Sequence, residues 1–279
     1  MSLKLMYITN RPDVAEIAEA AGVDRIFIDM EYIGKELRQK GMNTVQLHHT
    51  IEDIVRIREA IKRAELLVRC NPIHDETEEY DSSEEEINEI IKSGADVIML
   101  PYFKTLKEVH RFLAAVNGRA KTMLLLETPE AVSVLDEILE VPGIDEIHIG
   151  LNDLSLGYGM RFLFEPLADG TVDMLAKKFR QKGIPFGFGG VASLGKGLLS
   201  AEHIIMEHYR LGSNGVILSR SFCNLAKIDD IEQIRQIFTR GVGDIRKFED
   251  ECSRCPEMLE ANRERVSEIV RQIVGSGAV

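Results

Sequence analysis

Met123-Leu124-Leu125-Leu126-Glu127 and, further along, Ile147-His148-Ile149-Gly150-Leu151-Asn152-Asp153 are two apolar runs, each followed by an acid. Short continuous runs of Leu and Ile read as strands buried on both faces, the pattern of a parallel sheet covered by helices. In such sheets ligands bind at the carboxyl ends of the strands. A carboxylate does not fill a core, so Glu127 and Asp153 at two consecutive strand ends point to a divalent-metal site.

The same alternation runs the length of the chain. Strand candidates fall at 5–8, 25–29, 66–70, 97–100, 123–127, 146–150, 185–188 and 215–218, bounded by Gly, Pro or polar residues. Amphipathic helical patterns lie between them, for example over 14–21, 51–61 and 131–139. Pro12-Asp13 opens the first helix, Ser83-x-x-Glu86 reads as a capping box, and Gly22, Gly94 and Gly183 stand where C-terminal caps belong. Eight β-α units predict an α/β fold, a (β/α)8 TIM barrel forming one domain over 1–279, with an open doubly wound sheet as the alternative. Residues 228–238 can supply the eighth helix. The surplus 244–279 segment, interrupted at Pro256, carries an apolar stripe of Met258, Leu259, Val266, Ile269, Val270 and Ile273. It is expected as a C-terminal helical extension that packs either on its own barrel or, the favoured reading, on a neighbouring subunit of a homo-oligomer.

Composition narrows the partners. A net charge of −12 without a basic cluster argues against nucleic acid or an anionic membrane surface. No run approaches the ~20 apolar residues of a membrane span, and the chain starts directly on a strand-like run without a signal-peptide pattern. Four cysteines do not make a disulfide framework, and Cys252-Ser-Arg-Cys255 reads as reduced thiols. A cytoplasmic protein is expected. The acidic stretch 75–89 lacks the glycine and spacing of a calcium loop and reads as a solvated loop entering an acid-rich helical turn.

Gly190-Val-Ala-Ser-Leu-Gly195-Lys196-Gly197 resembles a nucleotide-binding loop, but Gly197 stands where Ser or Thr must hold magnesium. After a seventh barrel strand, such a loop with Lys196 suits a phosphate or carboxylate bound through backbone N–H groups; a ligand-free turn is the equal alternative. His203 and His208 are five apart and share no helix face, and His148, inside a strand, reads as a core group before a ligand. Arg69 ends the third strand and would face the same mouth as the two acids, as a clamp for a carboxylate or as a structural ion pair. Asp29 and Glu31 add carboxylates at the end of the second strand.

Glu127-Thr-Pro-Glu130 with Gly150-Leu-Asn152-Asp153-Leu-Ser155, together with Asp29-Met-Glu31, Val68-Arg69 and Gly94-Ala-Asp-Val-Ile-Met-Leu-Pro101, resembles the HpcH/HpaI aldolase and citrate-lyase-β-like family, from about 14 to about 218. That resemblance implies a barrel of the pyruvate-kinase and phosphoenolpyruvate group and a class II, metal-dependent aldolase acting at the methyl carbon of pyruvate. It makes Glu127 and Asp153 the ligands of Mg²⁺, Mn²⁺ or Co²⁺, and Arg69 the holder of the pyruvyl carboxylate or enolate. The backbone N–H groups of Asn152 and Asp153 become the carboxylate cradle. It also implies a hexamer or trimer of dimers.

Two positions depart from the family pattern. Tyr32 replaces the acid/base His of Asp-x-Glu-His, and Leu125 replaces a Gln before the metal Glu. A tyrosine of ordinary pKa is a poor base at neutral pH. Lys35, Arg38, His48 and His49, in the long loop after Asp29, are the candidates for proton relay or for binding an anionic tail. The expected function is a carbon–carbon lyase that cleaves or forms 4-hydroxy-2-oxo acids, with a keto acid and an aldehyde as substrates. The alternatives are an acyl-CoA lyase of the citrate-lyase-β type and a degenerate member that binds a keto acid without turnover.

Overall fold

The computed structural model describes residues 2–35 and 49–277. Eight parallel strands close into a barrel in chain order: β1 (Lys4–Ile8), β2 (Arg25–Asp29), β3 (Glu65–Arg69), β4 (Val97–Leu100), β5 (Lys121–Leu126), β6 (Glu146–Ile149), β7 (Phe186–Val191) and β8 (Gly215–Leu218), with β8 pairing back to β1. The closed (β/α)8 barrel is the architecture expected from the alternation, and it leaves no open edge to pair with another chain. Helices alternate with the strands: α1 (Pro12–Ala20), α2 (Ile51–Ala60), α3 (Ser83–Lys92), α4 (Leu106–Val116), the short α5 (Pro129–Ser133) and α6 (Leu135–Ile138), α7 (Leu151–Gly157), α8 (Glu165–Ala168), α9 (Thr171–Lys182) and α10 (Ala201–Leu211). Two longer helices, α11 (Ile231–Arg254) and α12 (Pro256–Ser276), complete the chain.

The continuous apolar runs have two destinations. Met6, Phe27, Leu67, Val97, Met99, Met123 and Leu125 form one cluster inside the barrel. Their strand neighbours, such as Ile26, Ile28, Leu66, Val68, Leu124 and Leu126, join the larger core between strands and helices. Successive side chains point to opposite faces of a strand, so a strand buried on both faces must be apolar throughout.

Both ends of the interior are polar. At the amino-terminal end, the first residues of five strands meet. Arg25, only 1% exposed, donates through Nε to Glu65 (2.7 Å) and through both terminal nitrogens to Glu146 (2.7 and 2.6 Å). Lys4 bonds Glu146 at 3.2 Å, and Lys121 bonds Glu65. This ionic floor closes the barrel from below. The carboxyl end is the open mouth.

Local signals acted with small shifts. The capping box of α3 uses Ser82 and Glu85, one residue before the expected pair. Ser83 Oγ instead accepts the His74 N–H (2.8 Å), and Glu86 turns inward to take the backbone and side-chain N–H groups of Asn71 (3.0 and 2.9 Å). The last barrel helix begins at Ile231 and runs unbroken to Arg254, with Pro256 opening α12 at a position where its missing N–H costs nothing. The stripe on α12 packs on its own barrel against α10 and α8, burying Val266 and Val270. Met258, Leu259, Ile269 and Ile273 stay half-buried. Among the described residues no helix is long and apolar enough to cross a membrane.

Candidate active site

The mouth collects residues that strand alternation aims inward. Asp29 ends β2, Arg69 ends β3, Glu127 follows β5, and Asp153 lies in the first turn of α7 after β6. Arg69 is gripped from one side: Nε donates to Asp29 Oδ1 (2.8 Å), one Nη to Oδ2 (2.7 Å), and the other Nη lies 3.3 Å from Glu31 Oε2. The paired bonds to Asp29 fix the plane of the guanidinium, and Glu31 adds a charge contact. Burial opposes the charge of Asp29, but Arg69 and Lys35 overcome it and hold the carboxyl well below its ordinary range. The ion-pair and clamp readings of Arg69 are thus compatible, since the pair orients the clamp.

Glu127 is 4% exposed, and its Oε1 accepts the backbone N–H of Tyr102 at 2.9 Å. Burial first, then Glu31 and Asp153, push its carboxyl well above the usual range, against the pull of Arg69. Asp29 and Glu31 are paired with Arg69 and Lys35, whereas Glu127 meets burial and the like charges of Glu31 and Asp153, with Lys104 lining the cavity beside it. A divalent cation at Glu127 and Asp153 would offset that repulsion, and hard carboxylate oxygens are the donors magnesium and manganese prefer. No group of three or more His, Cys, Asp and Glu ligands occurs among the described residues. The fit is therefore to an ion held by two carboxylates, with water and substrate oxygens completing its shell.

Beside these acids a cavity of about 400 Å³ is lined by Tyr102, Lys104, Glu127, Glu130, Asp153 and Leu156, among others. Tyr102 had no signal of function in the sequence, and Gly150 stood in the family motif without a role of its own. Tyr102 has φ 48°, a left-handed conformation in which its N–H meets Glu127, and nothing in the residue type announces that turn. Gly150 faces Glu127 so closely that a β-carbon would lie 2.6 Å from Oε2.

The other predicted residues separate. Lys35 is buried, 2.8 Å from Asp29 and 3.4 Å from Glu31. His49 is buried behind them; its Nδ1 accepts the Asp29 N–H (3.1 Å), and burial shifts it toward the neutral form. Tyr32 is half-buried, its N–H donated to Asn71 Oδ1 and its ring 5.9 Å from that of Tyr80. Burial, then Glu86, raise its phenol above the ordinary value, which makes it a still poorer base. Asn152 is exposed, its side chain donating to Asp153 Oδ1 (2.9 Å). Lys196 is exposed in the loop after β7, where the Gly195 N–H is already taken by Glu202 (2.7 Å), so an internal carboxylate sits where an anion was expected. Arg38 and His48 lie outside the described residues. His148 is a core group inside the barrel, its Nε2 3.2 Å from the Gly189 carbonyl, and burial pushes its pKa down to about 4.

The sequence model described as HpcH/HpaI aldolase/citrate lyase matches residues 4–162. The chain is 24% identical over 212 residues to 2-keto-3-deoxy-L-rhamnonate aldolase of Escherichia coli K12, covering 64% of this chain and 71% of that protein. Among solved structures, an HpcH/HpaI aldolase/citrate lyase family protein from Burkholderia cenocepacia J2315 superposes with TM-score 0.61 at 15% identity, over 84% of this chain and 95% of that one. An HpcH/HpaI aldolase from Desulfitobacterium hafniense DCB-2 gives 0.58 at 16%, over 88% and 93%. At these identities the structures speak to the fold.

Proposed function

Since the chain belongs to the HpcH/HpaI aldolase/citrate lyase family, we propose that it is a divalent-metal-dependent carbon–carbon lyase that forms or cleaves a 4-hydroxy-2-oxo acid through the enolate of a pyruvyl group. The observation that carries this reading is the convergence of Glu127 and Asp153 with an arginine already oriented by Asp29. The Escherichia coli relative is named for a 2-keto acid aldolase, which fits a substrate of the same broad class.

In this reading Glu127 and Asp153 would hold the ion, which would supply Lewis-acid polarisation of the keto group with no Schiff base needed. Arg69 binds the substrate carboxylate and keeps the methyl carbon in one orientation. The Asn152 and Asp153 N–H groups, in the first turn of α7, would serve the same carboxylate. Tyr102, through its N–H, holds Glu127 in place.

The alternative of a member that binds a keto acid without turnover draws on Tyr32, which stands where an acid/base histidine is expected. One experiment separates the two: deuterium exchange into the pyruvate methyl with and without Mn²⁺. Metal-dependent exchange, lost in Glu127→Gln together with metal binding, is the expected result. Binding of pyruvate without exchange favours the alternative, and full activity after treatment with a chelator overturns the metal-dependent reading.

A further inference from the structure

The mouth contains an acid pair and an arginine, but Tyr32 at the expected proton-transfer position is turned to other work: its backbone is clamped by Asn71 and its ring packs beside Tyr80. A different group occupies the mouth itself. Lys35 is 7% exposed, and its Nζ lies 2.8 Å from Asp29 Oδ2 and 3.4 Å from Glu31 Oε2. The same two oxygens lie 2.7 and 3.3 Å from Arg69. The ammonium and the substrate-facing guanidinium therefore sit side by side, bridged by two shared carboxylates. Among the described residues Nζ donates one hydrogen bond, to Asp29 Oδ2, and makes a charge contact with Glu31. An ammonium offers three N–H donors and no acceptor.

We propose that Lys35 is the proton-transfer residue of this site. The proposal rests on the lyase reading above. In bond formation, the enolate carbon supplies the electron pair of the new C–C bond, the aldehyde π pair moves onto its oxygen, and that oxygen takes a proton from Nζ. The resulting amine regains a proton from water at the open mouth. In cleavage the amine takes the hydroxyl proton as the C–C bond breaks, and the pair returns to the enolate. Nothing is oxidised or reduced. The titratable and charged groups facing Nζ among the described residues are Asp29, Glu31, Arg69 and His49, with Glu127 beyond Arg69.

The test uses Lys35→Arg, which keeps a cation that cannot give up its proton, and Lys35→Met, which removes it. Pyruvate release from 4-hydroxy-2-oxobutanoate is followed at saturating and at limiting substrate, so that kcat and KM are separated, and Mn²⁺-dependent oxalate binding is measured by calorimetry, with the melting temperature as the check on folding. Both variants should lower kcat at least ~10²-fold. Lys35→Arg should bind oxalate within about threefold of wild type, well inside the ~10-fold that 1.4 kcal/mol would represent. A wild-type kcat in Lys35→Arg overturns the proposal. So does a loss of oxalate affinity that matches the loss of rate, which would make Lys35 an electrostatic support. Wild-type protein that binds oxalate yet cleaves nothing also overturns it. Wild-type protein that binds no oxalate with Mn²⁺ overturns the lyase reading itself.

Discussion

Gly150 adopts φ −81° and ψ 84°, outside the left-handed region, so its lack of a side chain is a matter of space alone. A β-carbon there would stand 2.6 Å from Glu127 Oε2 and 2.8 Å from Glu127 Cβ. Gly150→Ala should therefore leave the barrel folded but displace the Glu127 carboxylate. A loss of ~10- to 100-fold in Mn²⁺ affinity is expected, as when the supports of a metal ligand are altered. Titration with the metal measures it, and unchanged affinity would show that Glu127 relaxes freely. The comparison with Glu127 shows what a sequence can reveal. Glu127, Asp153 and Arg69 were legible because a charged residue at the end of an apolar run has no packing reason to be there. Tyr102 was hidden, and Gly150 was visible only as a motif letter, because their roles depend on one backbone angle and on what stands opposite. Lys35 was one of several residues in a long loop until burial between Asp29 and Glu31 set it apart.

At the scale of elements, the strand pattern transferred almost intact, because continuous apolar runs bounded by glycine have few other uses. Boundaries moved where side chains found better partners. The α3 cap shifted by one residue when Glu86 was drawn to Asn71, and β7 continued to Val191 through glycines that periodicity read as a loop. The interior accounts for one of them: a β-carbon at Gly187 would come within 2.7 Å of the His148 ring and 2.4 Å of the Gly215 carbonyl. The ionic floor invites two measurements. Glu146→Ala leaves the Arg25 guanidinium buried with only Glu65, so it should destabilise the protein by ~3–5 kcal/mol in denaturant titrations. A loss below 1 kcal/mol would mean that water replaces Glu146. Glu65 is opposed by burial, but its bonds to Lys121 and Arg25 hold its pKa down to about 2, against an ordinary 4.5. Because the folded value is the lower one, its stabilisation is fully present above ~4.5 and disappears as pH falls through about 2. The stability gap between wild type and Glu65→Gln should accordingly narrow across that window. A gap independent of pH would remove Glu65 from the account.

For the molecule as a whole, an apolar stripe beyond the eighth unit has no internal clue to which surface it covers, and both readings satisfy the same periodicity. In the structure α11 lies along α1, and α12 lies along α10 and α8, so the chain itself buries Val266 and Val270 while the rest of the stripe stays half-buried. A homo-oligomer stays a proposal. Light scattering on the full chain tests it, with a multiple of the monomer mass expected and a monomer contradicting it. The ionic floor has a consequence for timing. A barrel stoppered below and open above is a vessel with one door, so whatever lies deepest must arrive first and depart last. If Arg69 and the acid pair hold one reactant at the bottom, the second can only queue behind it, and a sequence of arrivals follows from architecture without any moving part.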